Sequence, residues 1–189
     1  MTTQSHVTIR LRDYHRPALE AHFTALEAED RRLRFGANIS DEALRAYVAR
    51  IDFDRDGAFA VQDDELRLLA VVHVANTGET AELGLSVLPG HRGHGLGQAL
   101  FQRAVTHLRN RGIREANVHC LTENGAMMHL ARKSGMRIAY SGSESDARLE
   151  LRPATAGTLM NEWLADRQAE TIQAMRHHSR MTRALFDLG

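Results

Sequence analysis

A glycine-rich segment between a strand-like and a helix-like stretch constrains the fold of this chain more than any other feature. It reads Val-Leu-Pro-Gly-His-Arg-Gly-His-Gly-Leu-Gly over residues 87–97. Apolar and polar residues alternate before it, and apolar residues recur with helical spacing after it. Glycines at alternate positions let backbone N–H groups turn inward without a Cβ in the way, and the helix start adds the positive end of its dipole. The segment predicts a phosphate or pyrophosphate site at a strand-to-helix turn.

Two common nucleotide-binding loops do not fit this segment. A Walker loop requires Lys and then Ser or Thr after its last glycine, whereas Gly97 is followed by Gln98. A dinucleotide-binding fingerprint requires a further glycine where Gln98 or Leu100 stands. For the glycines taken alone, a tight turn that binds nothing is the alternative.

The remaining apolar periods predict an α/β fold with a sheet of mixed strand direction. Ser40 and Asn124 stand where their side chains can cap helices. The predicted strands are 7–11, 57–61, 66–74, 81–88, 116–121, 137–140 and 147–151, and the predicted helices are about 17–33, 41–51, 96–108 and 124–135.

Charge balance and cysteine content exclude several classes of protein. The 189 residues include 24 basic residues, 24 acidic residues and one cysteine. Balanced charge argues against a nucleic-acid or anionic-membrane surface, and a single cysteine excludes a disulfide framework or a multi-cysteine metal site. The histidines show no paired-ligand spacing, so we expect no metal. No apolar run is long enough to span a bilayer, and residues 1–11 lack a signal-peptide pattern, which favours the cytoplasm.

The character of the sequence changes after Pro153, which divides the chain into a domain at 1–152 and a helical extension at 153–189. The extension has no strand pattern, and its apolar residues favour one long helix or two shorter ones. Such a helix either packs back on its own domain or forms a homodimer arm. Its apolar positions are Leu159, Met160, Trp163, Leu164, Ile172, Met175, Leu185 and Phe186.

Three motifs in the expected order resemble the GNAT N-acetyltransferase superfamily. Residues 92–97, Arg-Gly-His-Gly-Leu-Gly, match in full the acetyl-CoA loop [Q/R]-x-x-G-x-[G/A] of that family. Val-Leu-Pro at 87–89 is similar to the strand end that precedes the loop. Residues 124–136 resemble the second motif, in which an Asn opens a helix that closes at a glycine. The resemblance covers residues 5–151.

The resemblance implies an acetyl-CoA-dependent N-acetyltransferase with a GNAT-like mixed sheet, splayed open between strands 81–88 and 116–121 and flanked by helices. Pantetheine would lie in that gap along Leu85 to Val87 like an added strand, and a backbone N–H near Leu85 would polarise the thioester carbonyl. The pyrophosphate would lie on the loop. The cofactor-binding residues implied are Leu85, Val87, Arg92, Gly93, His94, Gly95, Leu96, Gly97 and Asn124.

Glu82 is the candidate general base. An attacking ammonium, with a pKa of about 10.4 in lysine, must lose a proton before it can attack a thioester. By strand alternation, Glu82 faces away from Leu83 and Leu85, and many GNAT enzymes have their catalytic Glu in this strand. An ordinary polar residue on a half-exposed face is the alternative.

One position departs from the family pattern. Where many GNAT enzymes place a tyrosine that protonates the departing thiolate, this chain has Ala131. Tyr140 or Ser134 can be considered as substitutes, or the thiolate, with a pKa of about 8.5, leaves without a protein acid. Bacterial protein-lysine acetyltransferases are similar at Ala131, and residues 32–35 with Ile39-Ser40 also resemble their sequences.

Three other patterns favour plainer interpretations. Residues 52–57 imitate the opening of a calcium loop, but position twelve is Asp63 and a strand follows, so an acidic turn is favoured. Cys120 and His119 are adjacent in a strand and point to opposite faces, which favours a buried structural thiol. His91 and His94 flank the loop and either contact phosphate or are solvated.

These motifs favour an enzyme that transfers acetyl from acetyl-CoA directly to an amine in a ternary complex. The sequence leaves the acceptor open among a protein lysine, a polyamine, an amino acid and a drug amine. A non-catalytic acyl-CoA sensor on the same fold is the first alternative. A helical adaptor that uses residues 154–188 is the second.

Overall fold

The computed structural model describes residues 6–186, without the side chains of His177 and residues 180–186. The strands are β1 (Ile9–Arg10), β2 (Gly57–Gln62), β3 (Leu68–Asn76), β4 (Thr80–Val87), β5 (Glu115–Leu121), β6 (Arg137–Ser141) and β7 (Glu144–Glu150). The helices are α1 (Arg16–Thr24), α2 (Ala28–Phe35), α3 (Asp41–Arg50), α4 (Leu96–Asn110), α5 (Gly125–Lys133) and α6 (Ala156–Phe186). Short 3-10 turns lie at Asp13–His15 and Pro89–His91.

The strands form one seven-stranded mixed sheet in the order β1-β2-β3-β4-β5-β7-β6. The central pair, β4 and β5, is parallel, while the other neighbouring pairs are antiparallel. Pairing of β4 with β5 covers only Thr80–Glu82 against Glu115–Asn117, so the remainder of both strands diverges. The predicted mixed, splayed sheet is confirmed.

Helices cover both faces of the sheet, and each face has its own core. On one face α4 packs Leu100 and Phe101 against Phe59 and Leu83. On the other, α1 and α3 cover β1, β2 and β3 through an apolar cluster that includes Phe23. Strand β2 serves both cores because its side chains are buried throughout.

The alternation predicted for β4 is observed. Leu83 packs on the α4 side, whereas the hydroxyl of Ser86 lies 2.8 Å from Nε2 of His22 on the opposite face. Burial lowers the pKa of His22 to about 4 despite the hydrogen bond between its other ring nitrogen and the Leu68 carbonyl. At neutral pH His22 is therefore an uncharged member of this buried pair.

The helix predicted over about 17–33 is wrong in one respect, because it is divided into α1 and α2. The guanidinium of Arg31 donates to the carbonyls of Thr24 (2.8 Å) and Leu26 (3.0 Å), which satisfies acceptors exposed where α1 ends. Leu26 then enters the core beneath the turn. Strand β3 likewise begins later than predicted, since Leu66 takes a positive φ of 63° in the preceding hairpin turn.

Helix α6 packs back on its own domain mainly through polar contacts. The carboxylate of Glu162 accepts from Nδ1 of His107 (2.7 Å) and Nδ2 of Asn110 (2.6 Å). Arg103 is only 6% exposed and pairs with Asp166. The outer face keeps exposed apolar side chains at Leu159, Met160, Trp163, Leu164 and Met175. The predicted apolar positions Leu185 and Phe186 lie outside the described side chains.

No helix within residues 6–186 has both the length and the apolar character needed to cross a bilayer.

The contacts of Glu162 predict an acid-sensitive attachment of α6. Burial works to raise the pKa of Glu162, but the hydrogen bonds from His107 and Asn110 outweigh it and lower the pKa from 4.5 to about 2. A lowered folded-state pKa stabilises the fold above the unfolded value and loses that effect as pH falls through the folded value. Glu162→Gln should therefore reduce the free energy of unfolding by on the order of 2 kcal/mol at neutral pH.

Denaturant titrations at several pH values check this expectation. The difference between wild type and Glu162→Gln should be constant above about pH 5 and shrink towards pH 2. The matched control is Glu170→Gln on the same helix, where the carboxylate forms only an exposed pair with Arg167. A wild-type advantage that is independent of pH over this range would contradict the role of Glu162.

Candidate active site

Two adjoining cavities lie where β4 and β5 diverge. The first, the loop cavity, has a volume of about 450 Å³ and is bounded by the glycine-rich segment, α5 and the end of β4. The second, the sheet-face cavity, has about 520 Å³ and lies over Gly84 between α2 and β5. Five residues line both cavities: Leu33, Arg34, Leu85, Asn124 and Met127.

The glycine-rich segment presents an uncapped helix start to the loop cavity. Gly93 and Gly95 have positive φ angles of 78° and 82°, which side chains adopt only at a cost. Ser40 caps α3 and Asn124 caps α5, but no side chain caps α4 at Gly95. The first backbone N–H groups of a helix have no partner within the helix, so the start of α4 has donors available for an anion.

Basic side chains surround this helix start. His91, Arg92, His129 and Lys133 line the loop cavity. The Arg92 guanidinium pairs with Asp30 of α2, and its Nε donates to the Val87 carbonyl at 3.3 Å. Arg92 therefore contributes its backbone to the loop while its side chain joins the loop to α2.

The open edge of β4 supplies further backbone donors. The Leu88 N–H donates to the Leu69 carbonyl on the β3 side at 2.9 Å. Because successive N–H groups of a strand point to opposite edges, those of Val87 and Leu85 point away from β3, towards the gap. Pairing with β5 ends at Glu82, so these N–H groups are available to an extended ligand, while the Val87 carbonyl on the same edge accepts from Arg92.

Asn124 joins the two walls of the gap. Its Oδ1 accepts from the Met127 N–H at 3.0 Å and so caps α5, as its position predicts. Its Nδ2 donates to the Leu33 carbonyl of α2 at 3.2 Å. Both functional groups of the side chain are therefore used to position α5 and α2 around the cavities.

The loop cavity brings together most of the residues predicted to bind cofactor. Its lining includes Leu85, Val87, Arg92, Gly93, Gly95, Leu96, Gly97 and Asn124. The exception is His94, which is exposed and has its carbonyl 2.6 Å from Nε2 of His6.

Glu82 lies in the sheet-face cavity, on the predicted face of β4. Its side chain is exposed, at the last position where β4 pairs with β5. His119 lines the same cavity, and a hydrogen bond to Asp146 raises its pKa, with smaller contributions from Glu144 and Glu82. A carboxylate with access to solvent can therefore meet an incoming amine at this point.

The candidate thiolate acids do not lie in these cavities. Ala131 is 1% exposed and belongs to the core beneath α5, so a tyrosine ring at this position would have to displace packed side chains. The Tyr140 hydroxyl accepts from Arg132 at 3.0 Å on the surface. Neither Tyr140 nor Ser134 is among the residues that line the loop or sheet-face cavity.

The other sequence candidates take structural roles. The Cys120 thiol lies 3.8 Å from the Met128 sulfur, and burial raises its pKa. Asp52 accepts from the N–H groups of Asp54 and Arg55 in the turn before β2, as an acidic turn does. Within the described residues no group of three metal-ligating side chains comes together.

A chain of polar contacts beside the sheet-face cavity was not predicted. Nη2 of Arg34 donates to the Tyr47 hydroxyl at 3.1 Å, and that hydroxyl lies 2.6 Å from Nδ1 of His73. Nε2 of His73 lies 3.4 Å from the Asp56 carboxylate. Burial, followed by the charge of Arg34, lowers the pKa of His73 to about 4. The sequence signal that could have indicated these contacts is His73 itself, a histidine within the otherwise apolar strand 68–74.

Comparison with known proteins agrees with this geometry. The family profile described as "Acetyltransferase (GNAT) family" matches residues 8–136. A mycothiol acetyltransferase from Beutenbergia cavernae is 34% identical over 111 residues, which are 59% of this chain and 34% of that protein. The match thus extends over about a third of the length of this curated relative.

Solved structures show the same fold. The GNAT domain of S. lividans PAT has a TM-score of 0.66 at 19% identity, covering 76% of this chain and 89% of that one. The protein yncA from Salmonella typhimurium, solved with its cofactor acetyl-CoA, has a TM-score of 0.60 at 13% identity, covering 80% of this chain and 96% of that one. The profile match spans more than half of the sequence, and the chain belongs to the GNAT acetyltransferase family.

Proposed function

We propose that this protein is an acetyl-CoA-dependent N-acetyltransferase that transfers acetyl directly to a primary amine in a ternary complex. The observation that carries the proposal is the meeting of an uncapped helix start and an unpaired strand edge in one cavity, with a carboxylate in the adjoining one. A pyrophosphate needs the N–H donors of the helix start, and the amides of pantetheine need the unpaired strand edge. An attacking amine needs the carboxylate as a proton acceptor.

The loop cavity suits the cofactor part by part. Backbone N–H groups of residues 93–98 would hold the pyrophosphate, Lys133 adds positive charge for phosphates, and His129 adds a hydrogen-bonding ring. The N–H group of Val87 would pair with pantetheine along the β4 edge. The N–H group of Leu85, nearer to Glu82, would stabilise the thioester oxygen as it gains negative charge during attack.

Glu82 would accept the proton that the acceptor ammonium must lose. Its exposure fits proton transfer directly or through water, and its carboxylate lies in the cavity that adjoins the thioester position. The chain offers no tyrosine at Ala131, so the thiolate would take its proton from solvent; with a pKa of about 8.5 it is a tolerable leaving group.

Several finer features are part of this proposal. The acceptor is a protein lysine or a small-molecule amine, and the enzyme works in the cytoplasm without metal, nucleic acid or membrane. Residues 1–152 form the catalytic domain, and residues 153–189 form the extension. A non-catalytic acyl-CoA sensor is the alternative, and it would bind CoA without turning over any amine.

The loop assignment predicts a loss of cofactor binding in Gly95→Asp. The new carboxylate would repel phosphate oxygens at the start of α4, so calorimetry should show at least about a tenfold loss of CoA affinity. Wild type should also gain thermal stability on adding CoA. The matched control is Gly142→Asp in the β6–β7 turn, where φ is also positive and a Cβ meets nothing within 4 Å. Equal CoA affinity of wild type and Gly95→Asp would refute the loop assignment.

The base assignment predicts that Glu82→Gln lowers kcat by about 10²–10⁴-fold at neutral pH, because glutamine keeps the size but accepts no proton. CoA affinity should be unchanged, and the deficit should shrink as pH approaches the pKa of the acceptor amine. Glu79→Gln, an exposed residue that precedes β4, is the control. If Glu82→Gln keeps the wild-type kcat while the chemical step limits the rate, Glu82 is not the base. If wild type binds CoA but acetylates no amine, the sensor is favoured.

We further propose a homodimer through the outer face of α6. The inner face of α6 contacts the domain through polar side chains. The outer face carries a group of exposed apolar side chains: Leu159, Met160, Trp163 and Leu164. Light scattering should give a dimer for the full-length chain and a monomer for Trp163→Glu or a truncation after Pro153. Gln168→Glu, also exposed on α6, should stay dimeric. A monomeric wild type would dispose of the dimer.

A further inference from the structure

Arg34 is a cation without an acidic partner at the junction of the two cavities. It lies in the last turn of α2 and lines both the loop cavity and the sheet-face cavity. Its guanidinium covers Gly84 of β4 so closely that a Cβ on Gly84 would collide with it. Within the described part of the chain it forms no salt bridge, and its Nε is buried with no hydrogen-bond partner. A half-buried guanidinium of this kind is stabilised when an anion in the cavity pairs with it.

Neighbouring side chains fix the position of this guanidinium. It lies 4.7 Å from the ring centroid of Phe35 and 5.9 Å from that of Tyr47, and it donates to the Tyr47 hydroxyl. That hydroxyl can donate in turn to Nδ1 of His73, because the Asp56 carboxylate near Nε2 favours a proton there. A prepositioned guanidinium is suited to binding a planar carboxylate through two parallel hydrogen bonds.

We propose that Arg34 binds a carboxylate of the acceptor, so that the acceptor is a small zwitterionic amine of the amino-acid class. This inference rests on the proposed acetyltransferase function. Glu82 and Gly84 are two residues apart on the same face of β4, which separates their backbones by about 6.6 Å. Arg34, which lies over Gly84, would bind the carboxylate of the acceptor while Glu82 receives its ammonium group. This spacing suits a molecule whose ammonium and carboxylate are a few bonds apart.

The distribution of charge separates this role from phosphate binding. Lys133 and His129 line the loop cavity but not the sheet-face cavity, and they lie beside the helix start that would hold the pyrophosphate. Arg34 lies over Gly84, which shares its strand face with Glu82 rather than with Leu85. The guanidinium is therefore directed to the acceptor side of β4.

A comparison of matched acceptors tests the proposal on the wild-type, full-length protein. Amino acids with apolar, polar and acidic side chains are each assayed beside their carboxamides, with release of the CoA thiol as the readout. A charge-assisted hydrogen bond predicts a kcat/KM preference for the acids of about tenfold or more. The carboxamides have the less basic amine, which is deprotonated to a larger extent at neutral pH. This difference favours the carboxamides, so a preference for the acids would be observed in spite of it.

Variants assign the preference to Arg34. Arg34→Gln should reduce the acid-to-amide ratio to one or below, mainly through KM for the acids, and Arg34→Lys should restore part of the preference. Acetyl-CoA affinity and Tm should stay close to those of wild type. Arg45→Gln, an exposed residue of α3, is the matched control and should keep the full preference.

The possible outcomes are distinguishable. Wild type that acetylates carboxamides or protein lysines as efficiently as acids would overturn the inference while supporting the acetyltransferase. An equal loss of kcat for acids and amides in Arg34→Gln would assign the guanidinium to the thioester and also overturn it. Absence of acetyl transfer to every amine, with CoA bound, would instead refute the proposed function.

Discussion

The early end of pairing between β4 and β5 is the constraint on which the rest of the site depends. These strands share only the register Thr80–Glu82 against Glu115–Asn117 before they diverge. Divergence leaves the Leu85 and Val87 N–H groups unpaired, which would be costly in a closed sheet but suits a ligand that adds as a strand. Asn124 maintains the opening by linking α5 to α2 at its far side.

One strand consequently orders the whole site. Along β4 the chain presents Glu82 at the end of the paired region, then Gly84 beneath the Arg34 guanidinium, and then the open edge that leads into the loop. Strand alternation places the first two on the acceptor face, while the backbone edge faces the gap. Acceptor, thioester, pantetheine and pyrophosphate would follow the same order, so a single extended segment positions every reacting part.

Local patterns in the sequence predicted the parts of this site that depend on neighbouring residues. Alternation in β4, the glycine turn and the caps at Ser40 and Asn124 are short-range features, and the structure has them. The break between α1 and α2 was missed because it depends on Arg31 reaching back to the carbonyl of Thr24. Arg34, Tyr47 and His73 were missed because separate elements bring them together. Packing of the C-terminal helix on its own domain was one of the two alternatives, but the residues that attach α6 were not predicted. Its docking face is polar, whereas apolar periodicity is the usual signal.

Amide hydrogen exchange of the full-length protein with and without acetyl-CoA tests the central claim most directly. If the cofactor adds to the open edge of β4 and lies on the helix start, added acetyl-CoA should slow exchange at Leu85, Val87 and residues 93–98. Amides of Ser86 and Leu88 point towards β3 and should change less. Saturating acetyl-CoA that leaves Leu85, Val87 and the loop unprotected, while other amides respond, would contradict the account.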